Sequence, residues 1–93
     1  DLIPEAVEQA RMGVLPAGMY RNRKFAEGYV DAGGVELCRQ DVLYDPQTAG
    51  GLLMAVAPED APALLAELTP CVPSAQRIGT VRPYGGGKRI FLR

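Results

Sequence analysis

The sequence predicts an α+β fold in which helices pack on one face of a mixed β-sheet. Three observations predict it: an amphipathic helix pattern at 3–12, a continuous apolar run of strand length at 51–57, and an alternating segment at 88–93. A helix and a further strand between the last two complete a C-terminal β-α-β-β unit with a right-handed crossover. We expect residues 1–93 to form a single small domain.

The first helix is marked by apolar residues at helical spacing. Pro4 suits the first turn of a helix, Arg11 suits the last turn, and Gly13 supplies a left-handed stop. The apolar stripe that we expect to face the core consists of Ile3, Ala6, Val7 and Ala10.

The following part of the chain carries weaker patterns. Residues 14–22 read as a connecting loop, and 23–29 as a short helix with Phe25, Ala26 and Tyr29 on one side. A turn is expected at 31–34. The segment 35–44 fits either a strand or a short helix, and the sequence leaves both alternatives open.

The second half begins with the apolar run at 51–57, which is typical of a strand covered on both faces. The acidic pair 59–60 then opens a helix that ends before Pro70. The apolar face of this helix is formed by Ala61, Leu64, Leu65 and Leu68.

Two further strands are predicted near the end of the chain. The first covers 75–81 and the second covers 88–93, with Ile90 and Leu92 directed inward. The glycine-rich segment 84–87 between them predicts a hairpin turn.

The chain is almost neutral, since ten Lys and Arg oppose eleven Asp and Glu for a net charge of -1. Nucleic acids and anionic membranes select proteins with a basic surplus, so we expect neither as a partner. No apolar run approaches the roughly 20 residues of a membrane helix, and no signal peptide is visible. These observations predict a cytoplasmic protein.

The chain has no histidine and two cysteines. Without histidine, the commonest general base and the usual zinc ligand are missing. Cys38 and Cys71 are isolated in the sequence, so neither belongs to a metal-finger or redox motif. We expect two free, largely buried thiols, with a single disulfide as the alternative. The residues predict no catalytic group and no metal site in this chain.

Three further patterns are better explained by structure than by function. Asp41 and Asp45 could offer carboxylates to Mg²⁺, but two aspartates on an unassigned segment are more typical of a solvated surface. The basic run 21–24 could attract a phosphate, although a solvated helix start is the default interpretation; Asn22 within it suits capping or a specific hydrogen bond. The glycine–lysine run at 85–88 lacks the flanking glycine and hydroxyl residue of a phosphate-binding loop.

The strongest signal for a site is the segment 45–53, Asp-Pro-Gln-Thr-Ala-Gly-Gly-Leu-Leu. Its paired glycines let the backbone pass close to a ligand or to another element. Consecutive amides in a tight turn can also hold an anion. Two interpretations stay open from the residues alone: Thr48, Gly50 and Gly51 face a phosphate-bearing ligand, or the glycines serve close packing only.

This segment closely resembles the DPQTSGGLL signature of the selenophosphate synthases (selenide, water dikinases), in the C-terminal half of those enzymes. Residues 13–22, Gly-Val-Leu-Pro-Ala-Gly-Met-Tyr-Arg-Asn, resemble the family's G-x-x-P-G-G-T-x-R-N stretch. Residues 78–81, Ile-Gly-Thr-Val, resemble its closing IGxV strand, and 3–12 resembles its LPGAxExA helix more loosely. The ordered matches span nearly the whole chain.

The resemblance implies a domain like the C-terminal domain of aminoimidazole ribonucleotide synthetase, within a larger two-domain enzyme. Enzymes of the family convert selenide, ATP and water to selenophosphate, AMP and phosphate with Mg²⁺. Their reactive cysteine or selenocysteine, essential lysine and most metal-binding aspartates lie in the N-terminal ATP-binding domain, and a T-D-x-T-G-F-G motif lies upstream of the stretch matched here. The resemblance therefore implies a supporting segment, inactive in isolation and without a cofactor of its own.

The partners that the resemblance implies are the N-terminal ATP-binding domain and a second copy in a homodimer. The residues that it places nearest the substrate or nucleotide are Thr48, Gly50, Gly51 and Asn22.

Three matched positions depart from the family pattern. Ala49 stands where the family usually has serine, and Ala17 and Met19 replace its usual glycine and threonine. These changes remove polar contacts but not the fold. Two alternatives remain: a stand-alone interaction or dimerisation module of the same fold, or the equivalent domain of a related enzyme acting on thiamine phosphate, purine precursors or hydrogenase-maturation intermediates.

Overall fold

The computed structural model describes residues 2–93 and shows a mixed α/β chain with four α-helices and a two-stranded parallel sheet. Contacts group these residues into two compact units, one of residues 2–49 with 84–93 and a smaller one of residues 50–83. The single domain over 1–93 stays a prediction, and Asp1 lies outside the described residues. The elements in chain order are α1 (Pro4–Arg11), α2 (Ala17–Ala26), β1 (Val30–Asp31), α3 (Leu37–Leu43), α4 (Ala61–Leu68) and β2 (Ile90–Phe91).

Helix α1 confirms the helix predicted over 3–12. Pro4 lies at its start, where a missing amide interrupts no helical hydrogen bond, and Arg11 lies in its last turn. Gly13 follows at φ 80, a left-handed conformation that favours glycine. Val7 and Ala10 are buried as expected, whereas Ile3 is exposed because it precedes the first turn.

The core of the larger unit lies between α1 and α3. Val7 and Ala10 of α1 pack with Cys38 of α3. Burying a side chain of the size of Val7 contributes about 1.5–3 kcal/mol. The half-buried apolar residues around this cluster are Leu2, Leu15 and Val42.

Helix α2 occupies much of the segment predicted as a loop, so that prediction was wrong. Pro16 is the residue immediately before the helix, where its fixed φ angle and missing amide do not break the hydrogen-bond ladder. The helix predicted over 23–29 corresponds to the end of α2 followed by a 3-10 turn at Glu27–Tyr29. Phe25 is exposed rather than packed on the expected side, while Ala26 is half-buried.

Helix α3 decides the alternatives left open for 35–44 in favour of a helix. Cys38 and Asp41 are one helical turn apart, and both are buried. Leu37, which a strand would have directed inward, is exposed.

The two short strands pair in parallel, with Val30 opposite Ile90. A strand is therefore present within 88–93, but it is shorter than predicted and its partner is β1. The pairing is extended at one end by a 2.7 Å hydrogen bond from the Arg89 amide to the Tyr29 carbonyl oxygen. At the other end the Leu92 amide donates to the Asp31 carbonyl oxygen at 2.8 Å.

Cationic side chains also hold the C-terminal segment to the chain around Tyr29. The Lys88 ammonium donates to the carbonyl oxygens of Glu27 (3.0 Å) and Gly28 (2.9 Å). The guanidinium carbon of Arg89 lies 5.0 Å from the centre of the Tyr29 ring and 5.5 Å from that of Tyr84, within the range of cation–π attraction. The hairpin turn predicted at 84–87 was wrong, because no strand forms at 75–81 among the described residues; the chain bends there instead, with Gly86 and Gly87 at positive φ.

The smaller unit contains α4, and the apolar face predicted for that helix is its half-buried face. The strands predicted at 51–57 and 75–81 are not formed among the described residues, and Leu52 and Leu53 are exposed. A strand needs a hydrogen-bonded neighbour, which an apolar pattern does not supply.

The mixed α/β composition is thus confirmed, but the β-α-β-β unit beneath helices on one face is not. Over residues 2–93, no helix is both long and apolar enough to cross a bilayer.

Candidate functional site

The loop that leaves α3 is tightly turned at its start. The amide of Tyr44, the residue that closes the helix, donates to the carbonyl oxygens of Gln40 and Asp41, each at 3.1 Å. The amide of Asp45 donates to the Val42 carbonyl oxygen at 3.2 Å, and that of Gln47 to the Asp45 carbonyl oxygen at 2.8 Å. The segment predicted as the site therefore begins from a defined backbone conformation.

Asn22 of α2 satisfies an acceptor at the end of α3. Its side-chain amide Nδ2 donates to the carbonyl oxygen of Tyr44 at 2.9 Å. The last carbonyls of a helix have no partner inside the helix, and a neighbouring side chain can supply one. The interpretation of Asn22 as a capping or hydrogen-bonding amide is confirmed. This bond also joins 13–22 to 45–53, the two segments with the most specific motifs in the sequence.

A second contact between α2 and α3 is the ion pair of Arg23 with Asp41. Asp41 is buried and Arg23 is half-buried, and the guanidinium carbon of Arg23 also lies 5.6 Å from the centre of the Tyr44 ring. Two expectations were wrong here. Asp41 is not a solvated surface aspartate, and Arg23 is not part of a solvated helix start, because each neutralises the other.

A third contact is the close approach of Gly18 to Pro46. A Cβ atom added at Gly18 would lie 2.8 Å from Cγ of the Pro46 ring, which is closer than packed carbon atoms allow. Gly18 is thus the glycine at which a side chain would prevent the loop from packing on α2. We call the residues of these three contacts the α2–α3 junction: Gly18, Asn22, Arg23, Asp41, Tyr44 and Pro46.

The predicted site residues are placed differently from one another. Asn22 lies in the junction, and Thr48 is exposed on the loop beyond it. Gly50 and Gly51 are exposed and belong to the smaller unit. A Cβ atom at Gly51 would meet nothing within 4 Å, whereas one at Gly18 would meet the Pro46 ring. Ligand contact by Thr48, Gly50 and Gly51 stays a prediction.

The two thiols are free, as predicted, but they are not equally buried. Cys38 lies in the core between α1 and α3, whereas Cys71 is exposed. Within residues 2–93, no group of three or more His, Cys, Asp and Glu side chains lies close enough to hold a metal ion.

A shallow cavity of about 200 Å³ lies beside α1 and α3, with a single cation, Arg11, on its wall. Arg11 donates to Glu8 at 2.7 Å and to Glu36 at 3.3 Å. The nearby charge of Glu36 raises the pKa of the Arg11 guanidinium above its ordinary value. Because two carboxylates neutralise this cation, the cavity is a poor site for an anion.

Sequence reasoning missed five members of the junction: Gly18, Arg23, Asp41, Tyr44 and Pro46. Opposite charges at 23 and 41 were visible, but nothing in the sequence shows how two helices are oriented. The one usable signal was Asn22, because a neutral amide within a basic run suggests a directed hydrogen bond.

Known proteins are similar to this chain over most of its length. The chain is 49% identical over 77 residues to selenide, water dikinase 2 of Peptoclostridium acidaminophilum, a match covering 83% of the chain and 22% of the relative. It is 53% identical over 66 residues to selenide, water dikinase of Pelobacter propionicus, covering 70% and 19%. The match to selenide, water dikinase of Nitratidesulfovibrio vulgaris is 37% identical over 94 residues and covers 99% and 27%.

The chain thus spans about a fifth to a quarter of the length of the curated relatives that it matches. No family model and no solved structure matches it.

Proposed function

Because the chain belongs to the selenide, water dikinase family, we propose that it is the C-terminal segment of an ATP-dependent selenophosphate synthase. The enzyme would convert selenide, ATP and water to selenophosphate, AMP and phosphate. The observation that carries the proposal is the match to relatives of that name over up to 99% of the chain. Its partner within the enzyme would be the N-terminal ATP-binding domain.

The role we assign to this segment is to support the active site. The buried carboxylate of Asp41 is neutralised by Arg23, and Arg11 is neutralised by Glu8 and Glu36. Charges paired in this way neutralise each other and are not free to act on a substrate. Asp41 therefore does not fit a Mg²⁺ site, and we assign Mg²⁺ and the chemical step to the remainder of the enzyme.

The part of the segment that we place nearest the ligand is the loop carrying Thr48, together with Gly50 and Gly51. All three are exposed, so the hydroxyl and the loop amides are free to donate hydrogen bonds. Such donors suit a phosphate group of the nucleotide or product. Ala49 contributes a methyl group where the resembling signature has a hydroxyl, so Thr48 is the one hydroxyl of this loop.

The experiment that tests the proposal transplants the chain into a relative. The matching stretch of the Nitratidesulfovibrio vulgaris enzyme is replaced by this chain, and selenide-dependent formation of AMP from ATP is measured. We expect the chimera to be active and the chain alone to be inactive. A folded but inactive chimera would contradict the proposal, and activity of the chain alone would contradict the supporting role.

Two threonine variants of the chimera test the placement of the loop. Thr48→Ala is expected to lower kcat/KM by about tenfold, the loss typical of one hydrogen bond to a charged group. Thr69→Ala is the matched control, since the Thr69 hydroxyl donates to the Leu65 carbonyl oxygen at the end of α4. Equal effects of the two variants would show that the Thr48 hydroxyl has no special role.

A second candidate function is a stand-alone dimerisation module, which the exposed apolar residues of the smaller unit favour. Leu52 and Leu53 are 90% and 81% exposed, and contiguous apolar surface of this kind marks contact sites. Sedimentation of the chain over a range of concentrations distinguishes the candidates. A tight dimer without the rest of the enzyme supports the module, and a monomer supports the enzyme segment, whose homodimer would then need the complete protein.

A further inference from the structure

We propose that Asn22 is a positioning residue, which fixes the start of the proposed ligand loop through a hydrogen bond to the carbonyl group of Tyr44. The proposal goes beyond the function proposed above, because it concerns how the start of the loop is held. It rests on that function only where the loop is called a ligand loop.

The first step is that one of the two N–H donors of Asn22 is already used. Its Nδ2 group lies 2.9 Å from the Tyr44 carbonyl oxygen, a normal length for a strong N–H···O bond. A primary amide has two N–H donors in one plane, and orienting one of them at a fixed acceptor orients the other as well. Asn22 is therefore held in place by the backbone of α3.

The second step is that Tyr44 is the residue that joins the end of α3 to the loop. Its amide is bonded back into the helix, at 3.1 Å from the carbonyl oxygens of Gln40 and Asp41. Its carbonyl group accepts the hydrogen bond from Asn22. The peptide that joins Tyr44 to Asp45 is thus held on both sides, because its N–H group, that of Asp45, donates to the Val42 carbonyl oxygen at 3.2 Å. This peptide sets the direction in which the loop leaves.

The third step is that contacts on both sides of Tyr44 hold the backbone near this hydrogen bond in place. Gly18 and Asn22 are four residues apart and lie on the same side of α2. Gly18 receives the Pro46 ring, while Arg23 pairs with Asp41 one turn before Tyr44. The loop start is therefore held before, at and after Tyr44 by residues of α2, and Asn22 makes the hydrogen bond to the loop's own peptide.

The experiment uses the whole chain and needs no ligand. In the unmodified protein, NMR should detect a scalar coupling between Nδ2 of Asn22 and the carbonyl carbon of Tyr44. In Asn22→Ala, the amides of Asp45 and Gln47 should exchange with solvent about tenfold faster, the effect of losing roughly one hydrogen bond from a local opening reaction. Alanine is the better helix former, so weakening of α2 cannot cause this change.

Two controls separate positioning from general stability. Lys24→Gln alters the exposed neighbourhood on α2 and should leave the loop amides unchanged. Asn22→Gln keeps the amide donor and should restore slow exchange at Asp45 and Gln47 at least in part. The amides of α1 should keep their exchange rates in all three variants.

The proposal is overturned if the Asp45 and Gln47 amides exchange at the same rate in Asn22→Ala, or if α1 and the loop change together. An inactive chimera would contradict the assignment of a ligand to this loop, but it would not change the result of the exchange experiment. The two proposals can therefore fail separately.

Discussion

The guanidinium group of Arg23, on α2, forms an ion pair with the buried carboxylate of Asp41, on α3. Among residues 2–93, this is the only ion pair that joins α2 to α3. It lies beside Tyr44, the residue from which the candidate loop departs.

Breaking this pair from either side should destabilise the larger unit. Arg23→Met leaves the carboxylate of Asp41 buried without a partner, which typically costs 3–5 kcal/mol; about 2–3 kcal/mol is expected because Arg23 is only half-buried. The double variant Arg23→Met with Asp41→Leu should recover most of the loss, since apolar side chains of similar size tolerate burial. Urea unfolding of the single and double variants measures this, and additive losses would show that the pair does not interact.

Gly18→Ala should destabilise the protein although alanine favours helices. Alanine improves helix propensity by about 1 kcal/mol, but its methyl group would lie 2.8 Å from Cγ of Pro46 and displace the ring. We expect a net loss of about 1–2 kcal/mol together with shifted NMR signals from Gln47 and Thr48.

Gly28→Ala is the matched control, because a Cβ atom there would meet nothing within 4 Å. It should change the free energy of unfolding by less than about 1 kcal/mol. Greater stability in Gly18→Ala than in the unmodified protein would contradict the close approach.

Alkylation should distinguish the two thiols. Cys71 is exposed and Cys38 is buried in the core, so iodoacetamide should modify Cys71 first. Modification of Cys38 requires the core to open and should be slower by about tenfold or more. Mass spectrometry of digested protein follows both sites, and Cys71→Ser should remove the fast phase. Equal rates at the two cysteines would mean that α1 and α3 do not form a stable core.

Arg89 should anchor the C-terminal segment through its two tyrosine neighbours. Each exposed cation–π contact is worth about 0.5–1 kcal/mol, so Arg89→Leu should weaken the association of the C-terminal segment with the chain around Tyr29 by about 1–2 kcal/mol. The amide of Leu92, which donates to Asp31, should then exchange with solvent roughly tenfold faster. Arg82→Leu, at an exposed arginine of the smaller unit, is the control, and an equal effect there would point to net charge as the cause.

The helices were predictable to different degrees. Helices α1 and α4 were predicted from the spacing of their apolar residues and from the residues at their ends. Such a prediction is possible because the backbone hydrogen bonds of a helix join residues within the same segment. The first part of α2 was missed because Pro16 and Gly18 look like loop residues; one precedes the helix and the other contacts Pro46. The strand at 51–57 was predicted from an apolar run alone, and such a run does not specify which segment will pair with it.

The family, two of the helices and the position of the candidate loop could be inferred from the amino-acid sequence, because each depends on residues that are adjacent in the chain. Only the tertiary structure decided that Asn22 bonds to Tyr44, that Arg23 neutralises Asp41 and that β2 pairs with β1. Those contacts join residues far apart in the chain, and they depend on how helices and strands are oriented in space. A hydrogen bond or an ion pair requires two groups at one distance and angle, and periodicity along a sequence does not contain that information.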